Sequence, residues 1–256
     1  MHTPSFTRLL TFSAALAVAA STTHAASITW GLPTNINPAG GAASDLDVST
    51  AGTLVGAFNL GGTGVGNTTV NGTTFTGLAL AGSNVTSGNF NFATAGTFAG
   101  TNSVGFGSAP FSSLSAPYQA LLSSAAGTAT GPTPFTLTMS GLVTGQTYQF
   151  EWWSSQSRFP VNNLTTATAG NAVSLDYNPT STGGGVGQFA IGTFVADATN
   201  QQVITFTHGG GFASADDVIN GFQLREVSVI PEPSTWAFGI ALCLPPMLVF
   251  RRRARG

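Results

Sequence analysis

The stretch "TYQFEWWSSQSR", residues 147–158, indicates the fold class most directly because aromatic and polar side chains alternate along it. Successive side chains of a β-strand point to opposite faces of a sheet, so every second residue shares a face. One face of the predicted strand should enter a core: Tyr148, Phe150 and Trp152. The other face is expected to meet solvent: Gln149, Glu151, Trp153 and Ser155.

The expected outer face of this strand carries a candidate ligand patch. An exposed aromatic ring can stack on the apolar C–H face of a sugar while neighbouring polar groups bond its hydroxyls. Gln149, Glu151 and Trp153 have these chemistries, and Arg158 lies close enough in sequence to join them. The alternative is that a loop, or a helix near Tyr118, covers Trp153 and makes it a core residue.

Outward from this strand, the body of the chain has the pattern of short strands separated by turns. Asn71-Gly72 lies between two extended runs and predicts a two-residue hairpin turn. One helix is expected in "SAPYQALLSSA", residues 115–125, where Ser115 can cap the first turn and Pro117 suits it. Many short strands without a fixed-period repeat predict an all-β domain over residues 27–229, as a β-sandwich or jelly roll.

Charged side chains are scarce, and this scarcity argues against some classes of binding partner. They make up 6% of the 256 residues, against about 25% in a typical soluble domain. The chain has no lysine, and residues 27–230 contain two arginines, Arg158 and Arg225, against eight acidic residues, for a net charge of −6. No basic patch remains to neutralise phosphates, so nucleic-acid binding is not expected. The single cysteine, Cys243, allows no intrachain disulfide.

The N-terminal segment, residues 1–26, is predicted to be a secretory signal peptide. Arg8 supplies the positive charge, Leu9–Ala20 is a short apolar run, and small residues permit cleavage after Ala25 or Ala26. The apolar run is too short for a bilayer, which needs about 20 residues. Export across the inner membrane and removal by signal peptidase are therefore expected.

The C-terminal segment, residues 230–256, combines three features in a fixed order. Pro231-Glu232-Pro233 comes first, followed by the 15 uncharged residues Trp236–Phe250. As a helix this run would extend about 22 Å, and flanking side chains can lengthen its reach into a bilayer. A cluster of arginines follows and predicts a cytoplasmic end for a short transmembrane helix: Arg251, Arg252, Arg253 and Arg255.

This order resembles the PEP-CTERM sorting signal of Gram-negative bacteria. The resemblance covers the last 26 residues or so, with Pro231, Glu232 and Pro233 as the sorting motif. It implies recognition and cleavage by a membrane protease of the exosortase type. It also implies a transient anchor in the inner membrane, before the body is released to the cell envelope or outside the cell.

The body contains residues of catalytic types, but the sequence does not group them into a recognisable catalytic motif. A Ser-His-Asp triad would need His208, with Asp216 or Asp217 beside it. Glu151 and Asp176 are candidate glycosidase carboxylates only because both are acids on or near strands. We therefore predict no catalytic residue and no enzyme activity.

Oxygen ligands for a structural calcium ion are present in two places, at Asp45-x-Asp47 and at Asp216-Asp217. Neither has the spacing of an EF-hand loop, and both also fit solvated turns. No metal site and no cofactor are predicted.

The strands between residues 134 and 229 look like the β-sandwich repertoire of galactose-binding-like and carbohydrate-binding modules. Together, these features predict an exported, non-enzymatic protein of the cell envelope or extracellular matrix. The alternative is a carbohydrate-binding module on the cell surface, with an extracellular polysaccharide as partner and the patch of Gln149, Glu151, Trp153 and Arg158 as its site.

Overall fold

The computed structural model describes residues 26–129, 133–208 and 219–228. The predicted signal peptide, apart from its last residue, and the sorting motif, apolar span and arginine cluster lie outside the described residues. Within the described ranges, no helix is long and apolar enough to cross a membrane.

The described chain consists of fifteen strands and two α-helices. The strands are β1 (Thr29–Trp30), β2 (Thr34–Asn35), β3 (Thr53–Gly61), β4 (Thr68–Val70), β5 (Thr73–Ala79), β6 (Gly82–Ser87), β7 (Phe90–Thr101), β8 (Ala125–Thr128), β9 (Phe135–Ser140), β10 (Thr147–Ser154), β11 (Leu164–Ala169), β12 (Asn171–Asp176), β13 (Gln188–Val195), β14 (Gln201–His208) and β15 (Gly221–Val227). The helices are α1 (Gly41–Asp45) and α2 (Ala116–Ser123), and Phe111–Ser113 forms a 3-10 turn.

The strands form two sheets, and the prediction of a two-sheet, all-β domain is confirmed. The first sheet has the order β1-β13-β10-β15-β3-β5-β4, with β2 also paired to β13. The second has the order β12-β11-β14-β9-β7-β6, with β8 also paired to β7. Nearly all pairs are antiparallel, and β3 with β5 is the parallel exception in the described sheets.

An inner core fills the space between the two sheets. Tyr148, Phe150 and Trp152 enter it from β10, as the alternation predicts. The ring of Phe222, on neighbouring β15, stacks on Phe150 with 5.4 Å between ring centroids. Offset and edge-to-face ring contacts of this kind add about 0.5–1.5 kcal/mol per pair to the burial of apolar area.

A second, outer core covers the opposite face of the first sheet. It lies beneath a segment that we call the strap, residues 31–52, and beneath α2. Its buried apolar members include Val48 from the strap, Leu121 from α2 and Trp153 from β10. The middle of β10 is therefore buried on both faces, like a strand of a three-layer fold.

Two local predictions are confirmed. Asn71 and Gly72 have φ values of 46° and 74° and join paired residues Val70 and Thr73, as a two-residue hairpin with both central residues at positive φ requires. Helix α2 begins after Ser115, whose side chain accepts a hydrogen bond from the Tyr118 amide over 3.2 Å. The short polar turn and the cap are properties of local sequence, so they were visible without the tertiary structure.

Candidate functional site

The predicted ligand patch is not exposed as a unit. Glu151 and Trp153 are each 0% exposed, and Gln149 is half-buried. Arg158 is exposed but lies in the loop after the strand. The prediction that Glu151 and Trp153 face solvent was wrong because the strap and α2 cover that face of the sheet. The alternative, in which the helix near Tyr118 covers Trp153, is confirmed.

Trp153 is held in the outer core by a hydrogen bond and two ring contacts. Its Nε1 donates to the Tyr118 hydroxyl oxygen over 3.1 Å. Phe75 meets the indole edge-to-face at 5.5 Å between centroids, and Phe189 stacks on it at 6.5 Å. The indole is therefore a packing and hydrogen-bonding residue with no face free for a sugar.

Glu151 is a buried acid at the centre of a polar network. Its Oε2 accepts hydrogen bonds from the Ser49 amide over 3.1 Å and from the Gln223 side-chain amide. Its Oε1 is buried and has no hydrogen-bond partner among the described residues. Burial raises the pKa of the carboxyl to about 8, although both hydrogen bonds and the Arg225 charge oppose the shift. At neutral pH the folded protein therefore holds Glu151 mostly in its protonated form.

Arg225 completes the network from the neighbouring strand β15. It is 5% exposed. Its Nε donates to Gln223 Oε1 over 2.8 Å, and its terminal nitrogens donate to the Thr73 hydroxyl over 2.7 Å and the Gly52 carbonyl over 3.2 Å. One of the two arginines between residues 27 and 230 thus ties the strap and the β4–β5 hairpin to the sheet.

Asp45 and Asp47 fasten the strap to α2. Asp47 Oδ2 accepts a hydrogen bond from the Asn37 amide over 2.7 Å, and the Asp47 carboxylate lies near the Tyr118 side chain. Burial raises the pKa of Asp47, although both of these neighbours oppose the shift. The Ser115 hydroxyl donates to Asp45 Oδ1 over 2.5 Å. The carboxylates of Asp45 and Asp47, which were considered for calcium, therefore accept hydrogen bonds from protein groups.

In the part of the chain that the structure describes, no group of three or more His, Cys, Asp or Glu side chains is placed to hold a metal ion.

Arg158 lies on a loop surface at the end of β10. Its guanidinium is 5.4 Å from the centroid of the Phe159 ring, which is 42% exposed. The backbone beneath is held in place, since the Arg158 amide donates to the Val104 carbonyl over 3.2 Å and the Asn178 side chain donates to the Phe159 carbonyl over 2.9 Å. This residue of the predicted patch keeps an accessible side chain on a hydrogen-bonded loop.

The other catalytic candidates are not brought together by the described structure. His208 ends β14 in the second sheet, where its Nε2 is 3.1 Å from the Asn163 side-chain nitrogen. Asp216 and Asp217 lie outside the described residues. Asp176 ends β12 in the second sheet, while Glu151 lies in the outer core of the first. The two acids considered as glycosidase carboxylates therefore lie in two different sheets.

Sequence reasoning missed Gln223 and Arg225 as neighbours of Glu151, and it missed the hydrogen bond between Tyr118 and Trp153. A pattern in "GFQLREV", residues 221–227, points to two of them, because Gln223 and Arg225 alternate with apolar residues just as Gln149 and Glu151 do. In the structure Glu151 lies opposite Gln223, and Gln149 lies opposite Arg225. Matching polar positions on two strands could have suggested a shared polar face, but not its burial.

Comparison with known proteins adds little to this geometry. No protein-family model and no curated protein matches the chain. Two crystal structures of an exo-β-1,3-galactanase from Phanerochaete chrysosporium, both with β-1,3-galactotriose, match 60% of the chain at 16% and 18% identity, with TM-scores of 0.30 and 0.29. The match spans 30% of the galactanase. A likeness this low does not establish a common fold and carries no argument about activity.

Proposed function

We propose that the protein is an exported, PEP-CTERM-sorted component of the bacterial cell envelope or extracellular matrix, with a non-enzymatic structural or surface role. The observation that carries the proposal is the order of features after the β domain. Pro231-Glu232-Pro233, the apolar run Trp236–Phe250 and the arginine cluster follow one another in this order, with Ser234 and Thr235 between the motif and the run. An exosortase-type protease and signal peptidase are the processing partners this implies.

The position of the fold relative to the two predicted cleavage regions supports the proposal. Strand β15, Gly221–Val227, lies in the middle of the first sheet and pairs with both β10 and β3. Pro231 follows four residues later, so a cut near the motif removes no part of a strand. At the other end, cleavage after Ala25 or Ala26 leaves β1 at Thr29–Trp30 intact. A processed chain would thus retain the whole two-sheet domain.

The direct test is the intact mass of the protein purified from its native envelope, alongside a Glu232→Ala variant. We expect the wild type to lack both terminal segments and the variant to retain Trp236–Gly256, because the acid lies in the recognition motif. Glu226→Ala, which removes a glutamate six residues upstream, is the matched control and should be processed like the wild type.

A wild-type mass that still includes Trp236–Gly256 would overturn sorting by cleavage. The protein would then be a C-terminally anchored membrane protein. Equal processing of the wild type and Glu232→Ala would show that a different protease acts without reading the motif.

Glycan binding is the second candidate function, now at a different surface. Phe159 and Phe106 are each 42% exposed, and Arg158 stands over the first of these rings. The loops that carry them are joined, since the Arg158 amide bonds the Val104 carbonyl. An exposed ring beside an arginine on a hydrogen-bonded loop suits a sugar that bears a carboxylate.

A glycan array with the processed protein tests this second candidate. Phe159→Ala should abolish binding to uronate-containing glycans, whereas Leu164→Ala, at an equally exposed apolar residue, should leave it unchanged. Absence of binding by the wild type, or equal binding by both variants, would reject a glycan site at this loop.

A further inference from the structure

One long section of the chain has no charge. Between Asp47 and Glu151 there is no Asp, Glu, Lys or Arg residue. This section contains β3 to β9, and so most of one side of both sheets. The acidic residues that give the body its negative charge lie before or after it. Two copies of this protein can therefore approach by the neutral side with little like-charge repulsion.

Strand β6, Gly82–Ser87, forms the outer edge of the second sheet on this neutral side. It pairs with β7 and with no other described strand. Four of its six residues are exposed, including Asn84 and Thr86, and Val85 and Ser87 are half-buried. An edge strand presents unpaired N–H and C=O groups, and proteins usually protect such edges with lysine or proline. Neither residue occurs in "GSNVTS".

At two other sheet edges in the described chain, neighbouring segments contact part of the edge. On the far side of the second sheet, the β11–β12 hairpin is joined to the β1 region, where the Ile28 amide donates to the Ala169 carbonyl over 2.9 Å and Trp30 Nε1 donates to the Asn171 carbonyl over 3.3 Å. In the first sheet, β4 is three residues long and lies against α2, with the Thr68 hydroxyl bonded to the Pro117 carbonyl over 2.8 Å. On the free side of β6, by contrast, no described strand is paired.

We propose that a second copy of this chain pairs with β6, strand to strand and antiparallel, about a twofold axis at Val85. Such an interface uses the same surface on both copies and closes on itself. It joins the two second sheets into one continuous sheet and satisfies the free backbone groups of both edges. The proposal deepens the structural role proposed above and names its partner as the protein itself.

The side chains of β6 fit this register. Centring on Val85 places Asn84 of each copy opposite Thr86 of the second copy, and Val85 opposite its equivalent. Asn91 Nδ2 already donates to Asn84 Oδ1 over 2.8 Å and to the Thr86 hydroxyl oxygen over 2.7 Å. Because Asn84 Oδ1 already accepts from Asn91, the donor that Asn84 brings to the pairing is its amide nitrogen, which would donate to the Thr86 hydroxyl oxygen of the second copy. The twofold axis repeats this bond.

The extent of the interface predicts weak association. The register of β6 on β7 shifts between Gly82 and Asn84, so Asn84–Ser87 is the regular part of the edge. An interface built on one short strand falls below about 1,200 Å² of buried area, the range of weak and transient complexes. Dimers should therefore appear on raising the protein concentration, as occurs in an envelope layer or matrix.

Sedimentation velocity over a concentration series tests the proposal. The sample is the protein purified from its native cells, and its intact mass is measured first to establish how it is processed. The wild type should shift from monomer to dimer. Asn84→Lys/Thr86→Lys, which places lysines opposite each other across the axis, should raise the Kd by about tenfold or more at low salt. The control Thr136→Lys/Thr138→Lys puts the same charges on the half-exposed face of β9, in mid-sheet, and should dimerise like the wild type.

A cross-linking experiment checks the register. Val85→Cys in a Cys243→Ser background should form a covalent dimer under mild oxidation, and Thr138→Cys in the same background should not. A wild type that stays monomeric at every concentration, or a lysine pair on β6 that leaves dimerisation unchanged, would overturn the proposal. Because cleavage is detected by mass and pairing by sedimentation, the sorting proposal and the pairing proposal can fail separately.

Discussion

The two faces of β10 are both buried, yet they are built from different chemistry. The inner face contributes Tyr148, Phe150 and Trp152 to a core of aromatic and aliphatic side chains between the sheets. The outer face contributes Glu151, which accepts hydrogen bonds from the strap and β15, and Trp153, which donates one to α2. The inner core is stabilised chiefly by burial of apolar area, whereas the outer core also depends on satisfying polar groups.

This difference shows how a two-sheet domain can acquire a third layer. The strap and α2 bury polar residues that an ordinary sandwich would leave in water. A buried carboxylate is costly unless it is protonated or paired. The strap supplies the Ser49 amide to Glu151, and the sheet supplies Gln223. Four substitutions test whether the two cores differ as described.

The largest effect is expected in the inner core, from Phe222→Ala. Its ring lies within 5.3–5.8 Å of the rings of Phe58, Phe90, Phe92 and Phe150, measured between centroids. Removing it leaves a cavity among side chains that cannot collapse freely, so unfolding free energy should fall by about 3–5 kcal/mol. Urea denaturation measures this. A loss below about 1 kcal/mol would mean that the inner core is loosely packed.

The second effect is a pH dependence that belongs to the outer core. The unfolded chain releases the Glu151 proton near the ordinary pKa of 4.5, and the folded protein keeps it until about pH 8. The raised pKa of Glu151 therefore contributes fully to the free energy of unfolding below pH 4.5, and this contribution is lost as the pH rises towards 8. Glu151→Gln removes the titration, so its stability relative to the wild type should rise over this range, by at most about 1.4 kcal/mol per pH unit.

Urea denaturation of both proteins at several pH values between 4 and 9 provides this comparison. Repeating the series at high salt is the control, because a buried group is screened far less than surface charges. If the stability difference between the two proteins is independent of pH, Glu151 titrates alike in the folded and unfolded states, and the outer core is wetter than the structure indicates.

The third effect compares adjacent tryptophans on opposite faces. Trp152 and Trp153 are each 0% exposed, but Trp153 Nε1 donates to Tyr118, whereas Trp152 Nε1 has no hydrogen-bond partner among the described residues. Replacement by phenylalanine removes a similar volume at both positions. Trp153→Phe should therefore destabilise the protein by about 1–3 kcal/mol more than Trp152→Phe. Equal losses in thermal or urea unfolding would show that the Tyr118 hydrogen bond adds nothing.

The smallest effect concerns the edge of the outer core, through Asn71→Ala. Asn71 occupies a positive-φ turn position, and its side-chain amide donates to the Val48 carbonyl of the strap over 2.8 Å. Alanine tolerates this φ less well and loses the bond, so a loss of about 1–2 kcal/mol is expected. Asn71→Gly keeps the turn geometry and loses only the bond, so it should be the milder variant. The reverse order would indicate that the strap does not depend on this contact.

Much of the fold was accessible from local sequence. The hairpin at Asn71-Gly72, the cap at Ser115 and the inner face of β10 each follow from patterns of a few residues. The candidate site was not accessible in the same way. Alternation correctly assigned Glu151 and Trp153 to the face opposite Phe150, but the exposure of that face depended on the strap, more than 90 residues earlier in the chain.

Residue types and their spacing were enough to establish the all-β class, the division of β10 into two faces, and the low charge that leaves a long neutral section. These are properties of residue type and spacing. Long-range contacts account for the burial of the polar face, for the bonds of Arg225 and Gln223 to the strap and to each other, and for the position of β6 at an edge of the second sheet. The physical reason is that burial and edge position depend on which distant segments meet, and one strand's periodicity carries no information about its cover.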